Sequence, residues 1–134
     1  MPELQSRDTS NSPLSESLQA ELALVAQGAA RVLKELGRAR SSYQHKRTAS
    51  IALRVRSLEK QYRDQRKLLC NVARSCAQEP RVKDMAITAT LVLLRTIVSR
   101  ELATMRLTER LRDSVMAEIS CAVALDHHGL ERWI

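Results

Sequence analysis

LQAELALVAQGAARVLKEL, residues 18–36, is the stretch whose reading decides the fold. Its residues Leu18, Leu22, Val25, Ala29, Val32 and Leu36 recur at alternating steps of four and three. Such positions share one face of a helix, so the pattern is the seam of a helix lying nearly parallel to a neighbour. Upstream, Ser12 is placed to cap, Pro13 suits a first helical position, and Glu16 sits where the helix dipole favours an acid. Gly37 follows the last seam residue, a common place for a helix to stop. These signals predict a first helix over about residues 13–36.

The same reading extends along the chain. RARSSYQHKRTAS, residues 38–50, is polar and basic, and a second helix can begin near Ser41 or near Thr48. Ile51, Val55, Leu58, Tyr62, Leu69, Val72 and Cys76 then share a face, with Gln65 in the same row. QEPRVKD (78–84) ends this helix, since Pro80 disfavours a helical residue before it. No glycine or proline interrupts residues 82–127, so a third helix is predicted there, at 1.5 Å per residue roughly 65 Å long, with a kink near Arg106–Thr108 allowed. It carries two apolar rows. One holds Ile87, Leu91, Leu94, Val98, Leu102 and Met105; the other holds Leu93, Ile97, Leu107, Leu111, Val115 and Ala122. One row suffices for a helix lying on a surface, so two rows predict two neighbours.

The expected fold class is therefore all-α: three long helices in an antiparallel, coiled-coil-like bundle, the third the longest. Composition agrees. The 134 residues contain no phenylalanine, and the aromatics are Tyr43, Tyr62 and Trp133. An aliphatic, alanine-rich and charged chain suits helices packed side by side. One bundle domain over 12–128 is expected, between a flexible N-terminal tail (1–11) and a C-terminal tail (129–134). Because the third helix outruns its partners, Leu93, Leu94, Ile97, Leu107, Leu111 and Val115 are candidates for an assembly surface.

Charge is divided unevenly. Residues 37–78 hold eleven basic side chains against two acids, Glu59 and Asp64. Residues 79–134 balance eight against eight, and residues 1–36 hold three basic and five acidic groups, so the whole excess of +7 belongs to one segment. Within it Arg56, Lys60, Arg63, Lys67 and Arg74 recur at helical spacing opposite the apolar seam, a ridge about 27 Å long. Arg38, Arg40, Lys46 and Arg47 extend the charge upstream. A solvated face balanced by neighbouring acids accounts for most such runs. The functional reading is an anionic partner, either an acidic protein or phosphate backbone. Nothing accompanies the ridge that would stack bases, and the following helix, apolar on two sides, cannot lie in a groove as a recognition helix does. Nucleic-acid contact would then be through backbone charge alone. Membrane binding by the basic helix ranks lower, because its apolar face lacks interfacial aromatics. Arg47, three residues before Ser50, forms a short match to basophilic kinase sites.

SCAVALDHHGLERWI, residues 120–134, gathers Cys121, Asp126, His127 and His128. Adjacent histidines point about 100° apart on a helix, whereas metal ligands prefer spacings of three or four. The stretch reads better as a helix end: histidines by the unpaired carbonyls, Gly129 in a left-handed closing position, Leu130 folding back and Trp133 as a clasp. No nucleophile–base constellation, glycine-rich phosphate loop or metal set appears, and no cofactor or small-molecule substrate is expected. Cys70, Cys76 and Cys121 form an odd set, MPELQSRDTSNSP (1–13) has no apolar run, and no stretch reaches membrane-span length. An intracellular protein with reduced thiols, nuclear or cytoplasmic, is expected. The leading functional expectation is a non-enzymatic helical adaptor or scaffold subunit, binding a helical partner or itself through the third helix and an acidic partner through the ridge. The alternative is a protein that binds nucleic-acid backbone without sequence specificity.

Overall fold

The computed structural model describes residues 12–127. Among these residues five helices follow one another: α1 (Glu16–His45), α2 (Ala49–Ala77), α3 (Pro80–Lys83), α4 (Ile87–Leu102) and α5 (Glu109–His127). They pack against one another, and no strand occurs among the described residues, so the protein is all-helical. The expectations for tail residues 1–11 and for His128, Gly129, Leu130 and Trp133 lie outside the described residues, as do those for the side chains of Asp126 and His127.

α1 starts later and runs further than its sequence signals suggest. Ser15, not Ser12, is the N-cap: its hydroxyl accepts from the Leu18 amide at 3.2 Å, satisfying one orphan donor. Ser12 instead holds the approach to the helix, accepting from Leu14 N at 3.3 Å and Gln19 Nε2 at 3.2 Å. Gly37 does not end α1. A helical glycine costs about 1 kcal/mol relative to alanine, and burial of Leu36 and Ala39 against Leu58 outweighs that cost. The helix stops at His45, where Lys46 turns extended and its amide donates to Ser42 O at 2.9 Å.

Thr48 caps α2, its hydroxyl accepting from Ile51 N at 3.2 Å. Of the two starts that the sequence allows, the later one is realised, and only Lys46–Thr48 separate the two long helices. α2 runs back along α1: Arg40 meets Glu59 near the turn, and Gly28 lies against Gln65 further from it. Pro80 ends α2 as read, then opens the single turn of α3.

The third predicted helix is where sequence and structure part. Residues 82–127 do not form one rod; they form the end of α3, then α4 and α5, with breaks at 84–86 and 103–108. Among the described residues the longest helix is α1, at 30 residues. Two threonines mark the second break. Thr104 Oγ1 donates to Glu101 O at 2.8 Å as α4 ends, and Thr108 Oγ1 accepts from Leu111 N at 3.2 Å as α5 begins. The physical reason lies in the two apolar rows. A rod of about 65 Å would outreach α1 and α2, each about 45 Å long, and leave apolar surface in water. Folding α5 back lets the chain cover its own rows, α5 packing on α2, α4 and α1.

The main core collects Leu22, Ala26 and Ala30 of α1, Leu69, Ala73 and Cys76 of α2, Leu94 and Val98 of α4, and Val115, Ile119 and Val123 of α5. A second, smaller cluster holds Leu36, Ala39 and Leu58, with Val55 and Tyr62 against it. That cluster uses α1 and α2 alone, so the two helices continue past the main core as a paired arm ending at Lys46–Thr48.

Candidate interaction surface

The ridge forms on α2 because its cations fall within about 40° of one line at 100° per residue. Leu58, Leu69, Ala73 and Cys76 hold the opposite side of the helix in the core. Arg56, Lys60, Arg63 and Lys67 are exposed; Arg74 is partly covered and donates from Nη2 to Asn71 Oδ1 at 2.6 Å. The row begins on the arm and ends beside the body of the bundle.

Neighbouring acids do not neutralise it. Glu59 accepts from Arg40 at 3.1 Å, Glu35 lies 3.8 Å from Arg54, and Glu118 accepts from Arg66 Nε at 2.6 Å. Each of these arginines lies off the ridge, so these three acids are engaged elsewhere, and Asp64, beside the row, pairs with none of its cations. Among the described residues, Arg56, Lys60, Arg63 and Lys67 make no ion pair. Between residues 37 and 58 there are six cations and no acid, so the tip of the arm continues the same field.

Arg66 is the functional-looking residue that the ridge pattern passes over. It sits about 80° round α2 from the ridge, toward α5. Its pairing with Glu118 ties the two helices and raises the guanidinium pKa, through the hydrogen bond and then the charge of the carboxylate. The same carboxylate adds to burial in raising the Tyr62 pKa. Tyr62 is half-buried against Leu58 and so does not stand beside the ridge as a stacking platform.

The candidate assembly residues of the third predicted helix end up mostly inside. Leu94, Ile97 and Val115 are buried in this chain's own core, Leu93 and Leu107 are half-buried against it, and Leu111 is partly buried. The back-fold of α5 takes the surface that a partner was expected to cover. The exposed apolar side chains are other ones: Leu24 on α1, Leu53 and Leu68 on α2 and Val92 on α4 are each about half or more exposed.

Little else in the described residues resembles a reaction centre. Thr90 is the one buried polar residue there, and its hydroxyl donates to Ala86 O at 3.3 Å. No buried polar side-chain atom there lacks a hydrogen-bond partner. No group of three or more His, Cys, Asp and Glu side chains there is placed to hold a metal. The thiols of Cys70, Cys76 and Cys121 are free. A groove of about 780 Å³ opens where α4 and α5 part, and it sets Arg95, Arg100 and Arg112 among Glu109 and Asp113. No described helix is long and apolar enough to cross a membrane. No known family, curated protein or solved structure matches this chain.

Proposed function

We propose that this chain is a non-enzymatic helical adaptor, a subunit of a larger assembly that holds an acidic protein partner through the α2 ridge. The observation that carries the reading is the straight row of Arg56, Lys60, Arg63 and Lys67, exposed and without ion pairs among the described residues, while Glu35, Glu59 and Glu118 pair with arginines beside it. A solvated face evolves freely into mixed charge; a row of one sign repels itself and is a means of steering and aligning an anionic partner. Assembly through the α4–α5 half has less to offer than the sequence suggests, because Leu94, Ile97 and Val115 are already covered.

The test is charge reversal. Arg56, Lys60, Arg63 and Lys67 are changed together to glutamate, leaving out the partly covered Arg74. Helicity and melting temperature should change little, since all four side chains are solvated. The variant should lose a protein partner that the native chain retains when isolated from cells. Retention of every partner would sink the proposal. So would tight native binding to DNA and RNA of many sequences with a salt-dependence slope of roughly 3–5, the signature of several neutralised phosphates.

A further inference from the structure

We infer that the acidic partner presents an amphipathic helix, laid along the flank of α2 between the ridge and the exposed leucines Leu53 and Leu68. This rests on the adaptor reading above and specifies what the ridge receives. Three observations lead to it.

The first is spacing. Arg56, Lys60, Arg63 and Lys67 step by four, three and four, rising about 6, 4.5 and 6 Å in a straight line. Carboxylates on one face of a second helix repeat in the same rhythm, so two helices side by side place opposite charges in register over several turns.

The second is the pair of leucines. Leu53 is 64% exposed and Leu68 is 49% exposed, two of the largest apolar exposures among the described residues. By the helical period both lie to the same side of the ridge, about 60° and 120° round from it, on the side of α2 away from Arg66 and α5. They are fifteen residues apart, so they bracket the cation row at a separation of about 22 Å. A phosphate backbone gains nothing from leucine; a helix with acids on one stripe and apolar residues on the next gains from both.

The third is Asp64, exposed on that same flank and without an ion pair among the described residues. It would repel a phosphate strand following the ridge, but can receive a lysine or arginine from a mixed-charge helix. A second copy of this chain does not fit as the occupant. The segment carrying the ridge has eleven cations against two acids, and the acids at helical spacing on α5 stop at Glu109 and Asp113.

The experiment uses the full chain and four fluorescent probes at about 0.15 M salt, followed by anisotropy. One is a synthetic helix with glutamates stepping by four, three and four between leucines fifteen residues apart. The second has the same composition scrambled, the third is polyglutamate and the fourth is a 20-base-pair duplex. The patterned helix should bind at least ten-fold more tightly than the other three. Leu53→Ser with Leu68→Ser should bring it down to the scrambled peptide, with the fold kept because both side chains are already in water. Equal binding of patterned and scrambled peptides would overturn the helix inference while leaving an acidic partner standing. No binding of any acidic probe, or tightest binding of the duplex, would overturn the adaptor reading with it.

Discussion

Cys76 is fully buried at the end of α2, and burial, with the charges of Glu21 and Glu79 behind it, pushes its thiol up to about 12 from an ordinary 9.0. A neutral thiol that binds its proton more tightly when folded makes the native state the better proton holder at high pH. Stability from this group is complete below the unfolded value near 9 and is lost as pH climbs toward about 12. Unfolding midpoints should therefore fall across that window, and Cys76→Ala should flatten the part of the slope that this thiol supplies. An unchanged slope in the variant would show that Cys76 does not govern it. The three thiols should also react in order of access. Cys121 is exposed, Cys70 is half-buried and raised chiefly by burial, and Cys76 is closed. Alkylation at neutral pH, mapped by peptide mass, should label Cys121 first and leave Cys76 intact until the chain unfolds. The sequence singles out only Cys76, which shares the apolar face of the second helix; it does not rank Cys70 against Cys121, because helical position alone does not say which of those two the neighbouring helices cover.

α1 contains two glycines that contrast as elements of one helix. An added Cβ at Gly37 meets nothing within 4 Å, so Gly37→Ala removes a flexible residue from an exposed helical position without a clash. It should stabilise the protein by about 0.5–1 kcal/mol, read as a raised urea midpoint with unchanged m. At Gly28 an added Cβ would stand 2.7 Å from Gln65 Oε1, so Gly28→Ala must displace that amide and should gain less, or nothing. If Gly37→Ala destabilised the chain, helical geometry there would be in doubt. These positions also show what was legible. The seams of α1 and α2 were readable because Leu22, Leu36, Leu58 and Leu69 carry strong periodic burial. Gly37 signals an end that the helix does not take, because glycine is a weak stop beside a packed Leu36 and Ala39. The break at 103–108 has only Thr104 and Thr108 to announce it, and a threonine is common inside helices too. What forces the break is the need to bury two apolar rows, which is settled by the lengths of the partner helices rather than by any local residue. The cation row was visible in the sequence. Its lack of partners was not, since that depends on where Glu35, Glu59 and Glu118 land in space.

At the scale of the molecule, the two core clusters differ in their support. Leu94 of α4 is buried in the main core, and removing it to alanine should cost roughly 3 kcal/mol or more, felt by the whole bundle. Leu58 belongs to the arm, where α1 and α2 have only each other. With few apolar contacts and much solvated backbone, such a segment opens more easily than the body of the bundle. Leu58→Ala should therefore act locally. Native-state hydrogen exchange should show amides of residues 38–56 losing protection, while those of α4 and α5 hold theirs, and the urea midpoint read from the main core should move little. Leu94→Ala should lower protection everywhere. Because Arg56 and Lys60 sit on the arm while Lys67 sits beside the body, loosening the arm should weaken an acidic partner at one end of the row and leave it held at the other. The measured affinity for the patterned acidic helix should then fall, but by less than on reversing all four charges. Equal loss of protection in the arm and in α5 after Leu58→Ala would mean that the arm and the bundle unfold as one unit, and the two-cluster account would fail.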